Sequence, residues 1–286
     1  MTELVYLNGA YVAAAEACIS ILDRGFMFGD GVYEVIPVYT GKVFRHVEHL
    51  ERLQRSLDAV EINCPLTPQQ WSDIFQQLMD NNTGQGDASI YLQVTRGVME
   101  KRDHGYSRDM QPTILVMCRP IEYPLQDKST KGVKAITLED NRWADCFIKS
   151  VNLLPNALLR QQAVDQGAAE AILIRDGIAI EGSASNLFIV RNDVIRTPPK
   201  SRYMLGGITR ELILELCHTN KILVQEKNIT EDELHDADEI WMTSSTREIM
   251  PVTTLNQHKV GKGVPGAKWR QVIDLYQDYK KTVMRG

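Results

Sequence analysis

A lysine placed among apolar residues could carry the chemistry of this chain. Lys149 lies in the segment 144–151, and a strand over 147–151 would place it on one face with Phe147 and Val151. A lysine amine in such a place can attack a carbonyl carbon and form a Schiff base. A lysine at the solvent edge of a sheet, with its stem packed on apolar neighbours, has the same sequence pattern. The segment by itself leaves both interpretations open.

Three turns that are rich in hydrogen-bond donors could bind an anion. Gly206 and Gly207 directly precede an amphipathic pattern over 208–219, so the N–H groups and positive end of that helix could hold a phosphate. Two further turns follow apolar strands and offer hydroxyl and N–H donors. One is Gly182-Ser183-Ala184-Ser185-Asn186, which follows Glu181, and the other is Thr243-Ser244-Ser245-Thr246-Arg247-Glu248. Each alone is typical of an ordinary loop. Three in one half of the chain favour an anion site.

The composition argues against several classes of protein. Of 286 residues, 43% are hydrophobic and 24% are charged, which is typical of globular domains. The net charge is -5 and the basic residues are dispersed, so we expect no nucleic-acid partner. No apolar run approaches the ~20 residues of a membrane span and no targeting segment is evident, so we expect a cytoplasmic protein. The 5 cysteines show no metal-ligand spacing, which predicts free thiols and no metal site.

Two predicted domains position the candidate residues. The polar stretch 120–130 contains Pro120 and Pro124 and predicts a linker between an N-terminal α/β domain, 1–119, and a C-terminal domain, 131–286. In the first domain we predict a hairpin over 4–13, strands over 32–39, 89–96 and 113–118, and helices over 46–60 and from Thr67 to about 80. In the second we predict strands over 133–138, 147–151, 171–175, 178–181, 187–190 and 239–243, and helices over 156–166, 208–219, 230–235 and 268–283.

Local signals support several of these elements. Asp176-Gly177 is a strong signal for a two-residue hairpin turn, and Thr67 with Gln70 forms a capping box at a helix start. Apolar residues recur at helical spacing over 46–60, which leaves Arg52 off the predicted apolar stripe; they are Val47, Leu50, Leu53, Leu57 and Val60.

Five motifs occur in the order seen in fold-type IV enzymes that depend on pyridoxal 5'-phosphate (PLP). They are Asp23-Arg24-Gly25-Phe26-Met27-Phe28-Gly29-Asp30-Gly31-Val32-Tyr33-Glu34-Val35, Glu48-His49-Leu50-Glu51-Arg52-Leu53, Ile148-Lys149-Ser150-Val151-Asn152-Leu153-Leu154, Glu181-Gly182-Ser183-Ala184-Ser185-Asn186 and Gly207-Ile208-Thr209-Arg210. Over nearly its full length the chain resembles the D-amino acid transaminases of that class. The resemblance implies an α+β fold, with a smaller N-terminal α/β domain and a larger C-terminal, mixed β-barrel-like domain with helices.

The same resemblance implies roles for individual residues. Lys149 would hold PLP covalently and move the substrate's Cα proton. Glu181 would pair with the ring nitrogen and keep it protonated. Tyr33 would lie against the cofactor and the substrate. The residues expected to hold the phosphate are Arg52, Ile208, Thr209, Ser244 and Ser245.

A loop with Arg-x-His spacing indicates which kind of fold-type IV enzyme the chain resembles. Arg102 and His104 resemble the pair that captures the substrate α-carboxylate in D-amino acid transaminases, where the partner subunit contributes it. Branched-chain (L-) amino acid transaminases hold the carboxylate differently, and aminodeoxychorismate lyases share the PLP residues but eliminate pyruvate, so both stay as alternatives. Pro37 and Gly206 stand where the resembled family commonly has lysine, which leaves the preferred keto acid open.

The resulting hypothesis is a homodimeric enzyme whose partners are small D-amino acids and 2-keto acids. D-alanine would give its amino group to PLP, and 2-oxoglutarate would take it in a ping-pong reaction that yields pyruvate and D-glutamate. The non-enzymatic alternative is a PLP-binding protein that has lost turnover. Loss of Lys149 or Glu181 would favour that alternative, and both residues are present.

Overall fold

The computed structural model describes residues 3–121 and 131–285, and these residues form two compact units. The first unit comprises 3–121, 148–152 and 284–285, and the second comprises 131–147 and 153–283. Most of the predicted linker, residues 122–130, lies outside the described residues. The domain boundaries inferred from the sequence stay a prediction, and the segment that carries Lys149 packs with the first unit.

The first unit is built on an antiparallel sheet. Over residues 3–121 it has six strands in the order β2-β1-β6-β5-β3-β4. The strands are β1 (Leu4–Leu7), β2 (Ala10–Ala13), β3 (Gly31–Tyr39), β4 (Lys42–Val43), β5 (Ala88–Thr95) and β6 (Thr113–Pro120). Alternate residues of β3 and β5 point to one buried face, since successive side chains of a strand point to opposite faces.

Helices cover the buried face of this sheet. They are α2 (His46–Ala59) and α3 (Pro68–Asn82), and a short helix, α1 (Arg24–Phe28), precedes β3. Leu53 and Leu57 of α2 and Phe75 of α3 share one core with Val32 and Leu92 of the sheet. Burying these side chains stabilises the unit, because each contributes about 1.5–3 kcal/mol on leaving water.

The second unit contains a larger mixed sheet that curls into a half-barrel. Over residues 131–285 its strand order is β12-β11-β10-β14-β15-β7-β8-β9-β13, and β16 pairs with β15. The strands are β7 (Val133–Glu139), β8 (Glu170–Arg175), β9 (Ile178–Gly182), β10 (Asn186–Arg191), β11 (Val194–Thr197), β12 (Val224–Glu226), β13 (Ile229–Thr230), β14 (Glu239–Ser244), β15 (Glu248–Leu255) and β16 (His258–Lys259). Parallel pairs join β7 to β8 and to β15.

The helices of the second unit follow local start and stop signals. They are α4 (Leu154–Asp165), α5 (Ile208–Thr219), α6 (Glu231–His235) and α7 (Ala267–Tyr279), the last of which continues into the π-helical turn Lys280–Met284. Asp176 and Gly177 both have positive φ, at 51° and 73°, as the predicted hairpin turn between β8 and β9 requires. No helix within 3–121 or 131–285 has the length and apolar character to cross a membrane.

The predicted strand over 147–151 is wrong. Phe147 lies in a turn, and Ser150 forms only an isolated bridge with Val32. The physical reason lies in how β3 is paired. Strand β5 pairs along one edge of β3, whereas β4 pairs with the other edge only at Val38 and Tyr39. The segment 147–151 therefore binds the unpaired part of that edge through a few hydrogen bonds and does not form a regular strand.

The sequence predicted neither helix α1 nor the strands β4, β11, β12, β13, β15 and β16. Helix α1 has only five residues, too short for a periodic signal. Strand β15 contains Pro251, which cannot donate to a ladder and argues against a strand in a sequence reading. The structure nevertheless pairs β15 on both sides, with a register shift between Val252 and Thr254.

Candidate active site

Hydrogen bonds hold the backbone at Lys149 in place, and the Lys149 side chain points at an aromatic ring. Its carbonyl accepts from Tyr33 N at 2.9 Å, its N–H donates to Ser56 Oγ at 3.2 Å, and Val151 N donates to Gly31 O at 3.0 Å. The residue is half-buried, and Nζ lies 4.1 Å from the centre of the Tyr33 ring. The arrangement places the Lys149 amine against an aromatic wall.

Tyr33 is itself part of a polar, aromatic surface of the sheet. Its ring stacks on Tyr91, with centroids 5.9 Å apart and an interplanar angle of 29°. The Tyr91 hydroxyl donates to Gln93 Oε1 at 2.6 Å. Burial, with a smaller contribution from Tyr33, raises the pKa of Tyr91 to about 12, so its hydroxyl stays protonated and remains a donor.

Arg52 belongs to a buried charged cluster in the first unit. Its Nε donates to Glu34 Oε1 and its Nη2 to Glu34 Oε2, both at 2.7 Å, and His49 Nδ1 lies 2.8 Å from Glu34 Oε2. Burial alone would raise the pKa of Glu34, but the charge and hydrogen bonds of Arg52 and His49 outweigh it and hold that pKa well below its usual range. The carboxylate therefore fixes the plane of the Arg52 guanidinium.

The prediction that Arg52 lies off the buried stripe of its helix is wrong. Helix α2 buries Arg52 and His49 together with two leucines, while Val47 is 63% exposed. The pairing with Glu34 explains the difference, because a buried charge becomes tolerable when it is paired and hydrogen-bonded. A signal was present in the sequence: Glu34 falls on the apolar face of β3, in register with Val32 and Ile36.

Glu181 lies in the second unit, at the end of β9, and is buried. Its Oε1 accepts from Arg142 Nη1 at 2.7 Å, and its Oε2 accepts from Asn186 Nδ2 at 3.2 Å and from Leu205 N at 3.1 Å. Burial raises the pKa of Glu181 to about 7, although Arg142 opposes the change. A buried carboxyl of this pKa is suited to share a proton with a ring nitrogen.

Arg142 was missed by the sequence analysis and orients Glu181. Its Nε donates to Asp140 Oδ1 at 2.8 Å and its Nη2 to Asp140 Oδ2 at 3.1 Å. Asp140 also pairs with Arg175 at 3.1 Å. The sequence offered no periodic signal here, since residues 140–149 lie outside regular helices and strands.

The start of α5 fits a phosphate cradle. Gly207 is the N-cap and supplies no side-chain hydrogen bond, so the N–H groups of Ile208 and Thr209 face outward at the positive end of the helix. Over the described residues the buried Thr209 Oγ1 has no hydrogen-bond partner. A Cβ at Gly207 would lie 1.9 Å from Asn186 Oδ1, so a larger residue there would have to displace the Asn186 side chain, which donates to Glu181 and to Leu205 O.

A second group of hydroxyls belongs to the same unit. Ser244 ends β14 and Ser245 follows it, and Ser244 Oγ accepts from Arg247 N at 3.3 Å. The buried Thr243 Oγ1 has no partner within 131–285 or 3–121. Asn186 is the strand partner of Thr243, and its side chain donates to Leu205 O at 2.7 Å. Asn186 thereby connects the hydroxyl groups at the end of β14 to Glu181 and to the α5 cradle.

Arg102 and His104 lie in an exposed loop that we call the Arg102 loop, residues 99–106. The Arg102 guanidinium carbon lies 5.1 Å from the centre of the Phe28 ring, and the His104 ring centroid lies 5.3 Å from the same point. Phe28 ends α1, so one aromatic ring brings the two side chains together. Two adjacent cationic or polar donors can bind a carboxylate.

Within the first unit the structure thus joins Lys149 with Tyr33, Arg52 with Glu34, and Arg102 with His104. Within the second unit it joins Glu181 with the α5 cradle, through Asn186. Among the described residues no cluster of three or more His, Cys, Asp or Glu is arranged to hold a metal ion. The five cysteines carry free thiols.

Known proteins resemble this chain over nearly all of its length. The profile described as Amino-transferase class IV matches residues 31–255. D-alanine aminotransferase of Bacillus licheniformis is 41% identical over 274 residues, 96% of each chain. The Staphylococcus aureus (strain MW2) D-alanine aminotransferase is 37% identical over 277 residues, 97% of this chain and 98% of that protein. The solved branched-chain aminotransferase of Thermoproteus uzoniensis with norvaline matches with a TM-score of 0.85 at 27% identity, covering 100% of this chain and 96% of that chain.

Proposed function

The chain belongs to the class IV aminotransferases, which makes it a PLP-dependent enzyme, and we propose that it is a D-amino acid transaminase. D-alanine donates the amino group and 2-oxoglutarate accepts it, giving pyruvate and D-glutamate. The observation that carries the D-amino acid assignment is the placement of Arg102 and His104 around one aromatic ring. Similarity to D-alanine aminotransferases at 37–41% identity supports it.

The residues present fit PLP. Its phosphate would meet the two outward N–H groups of α5 and the unpartnered Thr209 hydroxyl, while Ser244 and Ser245 would add hydroxyl donors. Arg52 would add a charge-assisted contact. A buried polar atom without a partner costs free energy, so the Thr209 hydroxyl is consistent with a ligand that accepts from it.

The reaction divides between two residues. When bound, PLP receives the amino group and supplies the electron sink that makes the substrate Cα–H bond acidic. Lys149 Nζ would hold the cofactor before substrate arrives, and would then move the proton from Cα of the amino donor to the carbon that receives the amino group. In the second half-reaction it would move a proton in the reverse direction, to the carbonyl carbon of the keto acid. Glu181, held by Arg142 and Asn186, would keep a proton on the ring nitrogen.

A homodimer forms part of the proposal. Ile21 and Phe26, which precede and lie in α1, are 76% and 71% exposed, and Val98 beside the Arg102 loop is 50% exposed. Large apolar side chains exposed together favour a protein partner, and a second copy would cover them while receiving Arg102 and His104 in its site. A cytoplasmic location stays a prediction from the sequence.

Replacing Arg102 by alanine tests the proposed substrate class. We expect the KM for D-alanine to rise about tenfold to a hundredfold, because a hydrogen bond to a charged group contributes ~1.5–3 kcal/mol. Steady-state kinetics with 2-oxoglutarate as acceptor measures this. Turnover of (R)-1-phenylethylamine, an amine without a carboxylate, is expected to stay unchanged or to improve.

The matched control is Arg108→Ala, since Arg108 lies just beyond the loop and pairs with exposed Glu61. Its KM for D-alanine should equal that of the wild type. If the wild type uses L-leucine well and D-alanine poorly, or if Arg102→Ala leaves the KM for D-alanine unchanged, the branched-chain or lyase alternative replaces this proposal.

Replacing Arg52 by alanine tests the phosphate contact. We expect the Kd for PLP to rise by about tenfold to a hundredfold, from the loss of ~1.5–3 kcal/mol in a charge-assisted bond. Titration of apoenzyme, followed by quenching of tryptophan fluorescence, measures it. Glu34→Gln should weaken PLP less, because the arginine stays but its plane is no longer held by a carboxylate.

Pyridoxal without the phosphate is the control ligand, and its Kd should be the same in all variants. Arg55→Ala is the control substitution, since Arg55 lies on the same helix and is exposed. If dialysis removes PLP from Arg52→Ala no faster than from the wild type, the role assigned to Arg52 is wrong.

A further inference from the structure

Arg24 is a buried arginine that the proposed chemistry does not use. It is 3% exposed and lies in the first turn of α1. A guanidinium is costly to bury unless its donors are matched by acceptors. The acceptors that Arg24 contacts therefore indicate what α1 does.

Three of these partners are consecutive backbone carbonyls of the Arg102 loop. Arg24 Nη1 donates to Asp103 O at 2.8 Å and to Gly105 O at 3.2 Å, and Nη2 donates to His104 O at 3.0 Å. The loop has no regular secondary structure, and residues 101–109 are exposed. Its backbone conformation between Arg102 and Gly105 therefore depends strongly on this one guanidinium.

The guanidinium is in turn held from the opposite side. Arg24 Nε donates to Asp30 Oδ2 at 2.7 Å, and Arg96 binds both oxygens of Asp30 at 2.8 and 2.9 Å. Arg96 also donates to the carbonyls of Val60 and Glu61, which follow α2. Arg24 is thus fixed to the body of the unit, whereas the Arg102 loop is fixed to Arg24.

The same short helix supplies the surface on which the loop side chains lie. The centre of the Phe28 ring is 4.8 Å from the Arg24 guanidinium carbon and 5.1 Å from that of Arg102, while His104 lies against it at 5.3 Å. The buried Asp23 caps this helix and accepts from Thr113 Oγ1 at 2.6 Å. Backbone and side chains of the loop are therefore both set by α1.

We propose that Arg24 is a positioning residue for substrate recognition, which holds the Arg102 loop so that Arg102 and His104 bind one carboxylate together. This inference rests on the proposed function, in which that pair binds the substrate α-carboxylate. Two donors that are ordered before binding lose less conformational entropy on meeting the ligand. Arg24 itself touches neither substrate nor cofactor and acts through the loop.

Arg24→Lys is the variant that tests it, because lysine keeps the charge beside Asp30 but cannot donate in several fixed directions at once. We expect the KM for D-alanine and for pyruvate to rise by about tenfold, the effect of weakening a charge-assisted contact. The visible band of bound PLP and the turnover of (R)-1-phenylethylamine should not change. Amide hydrogen exchange, measured by mass spectrometry, should become faster over residues 101–106.

Two comparisons make the result specific. Arg108→Lys, in the same region but without contacts to the loop carbonyls, should leave both exchange and KM at the wild-type values. In an Arg102→Ala background, Arg24→Lys should raise the KM for D-alanine by less than about twofold, because residues that act as one unit are not additive.

Several outcomes would overturn the inference. Independent, multiplicative effects of the two substitutions would mean that Arg24 does not act through Arg102. Loss of the PLP band, or equal loss of activity toward the amine without a carboxylate, would mean a general structural role. If Arg102→Ala raises KM but Arg24→Lys does not, this inference alone is wrong, whereas an unchanged KM in Arg102→Ala contradicts the proposed function itself.

Discussion

Replacing Lys149 by alanine is expected to remove the visible absorption band of the bound cofactor and to lower transamination by about four orders of magnitude or more. The covalent hold on PLP and the proton transfer at Cα are lost together, and positioned proton transfer alone contributes ~10²–10⁴ in rate. Absorption spectra and single-turnover kinetics with D-alanine measure the two losses separately. The half-buried amine against Tyr33 is the structural basis for this expectation.

Added methylamine should restore part of the activity of Lys149→Ala, since a free amine can replace the missing base. The control variant is Lys262→Ala, an exposed lysine, and it should keep both the band and the activity. A wild-type protein that stays colourless after addition of PLP, or a Lys149→Ala variant that keeps the band, would falsify the assignment of Lys149.

Glu181→Gln is expected to leave PLP bound while lowering kcat by about 10²- to 10³-fold, the range seen when a preorganised electrostatic contact is removed at a reacting centre. A neutral amide cannot hold the ring nitrogen as a cation. Equilibrium binding of PLP and steady-state kcat are the measurements. Glu181→Asp should recover part of the rate because it keeps the carboxylate. An unchanged kcat in Glu181→Gln would make Glu181 a structural residue.

The buried carboxyl also predicts a pH dependence of the apoenzyme. Its pKa is raised to about 7 from an ordinary 4.5, so its contribution to stability is present below 4.5 and is lost as the pH rises towards 7. That difference corresponds to about 3 kcal/mol at most. The unfolding free energy of wild-type apoenzyme should therefore fall between pH 4.5 and 7 relative to that of Glu181→Gln apoenzyme, in which residue 181 does not titrate. Urea unfolding across this range measures it, and a difference independent of pH would contradict it.

Elements with local signals were predicted well from the sequence. The hairpin turn at Asp176-Gly177 and the capping box at Thr67 are present, and α5 has the predicted bounds Ile208–Thr219. Each depends on residues within a few positions of one another, so hydrophobic periodicity and capping chemistry suffice. The family resemblance depends on motifs of the same kind and was confirmed by the class IV profile.

The sequence by itself therefore determined the family, the cofactor and most of the regular elements. Only the tertiary structure decided which groups meet: Lys149 with Tyr33, Glu34 with the Arg52 of a different element, and Arg24 with carbonyls about 80 positions away. Helical and strand patterns report which face is buried, and they cannot report which distant partner makes a buried charge tolerable. That choice follows from packing and from the need to pair each buried donor or carboxylate, and both are settled only when the whole unit has folded.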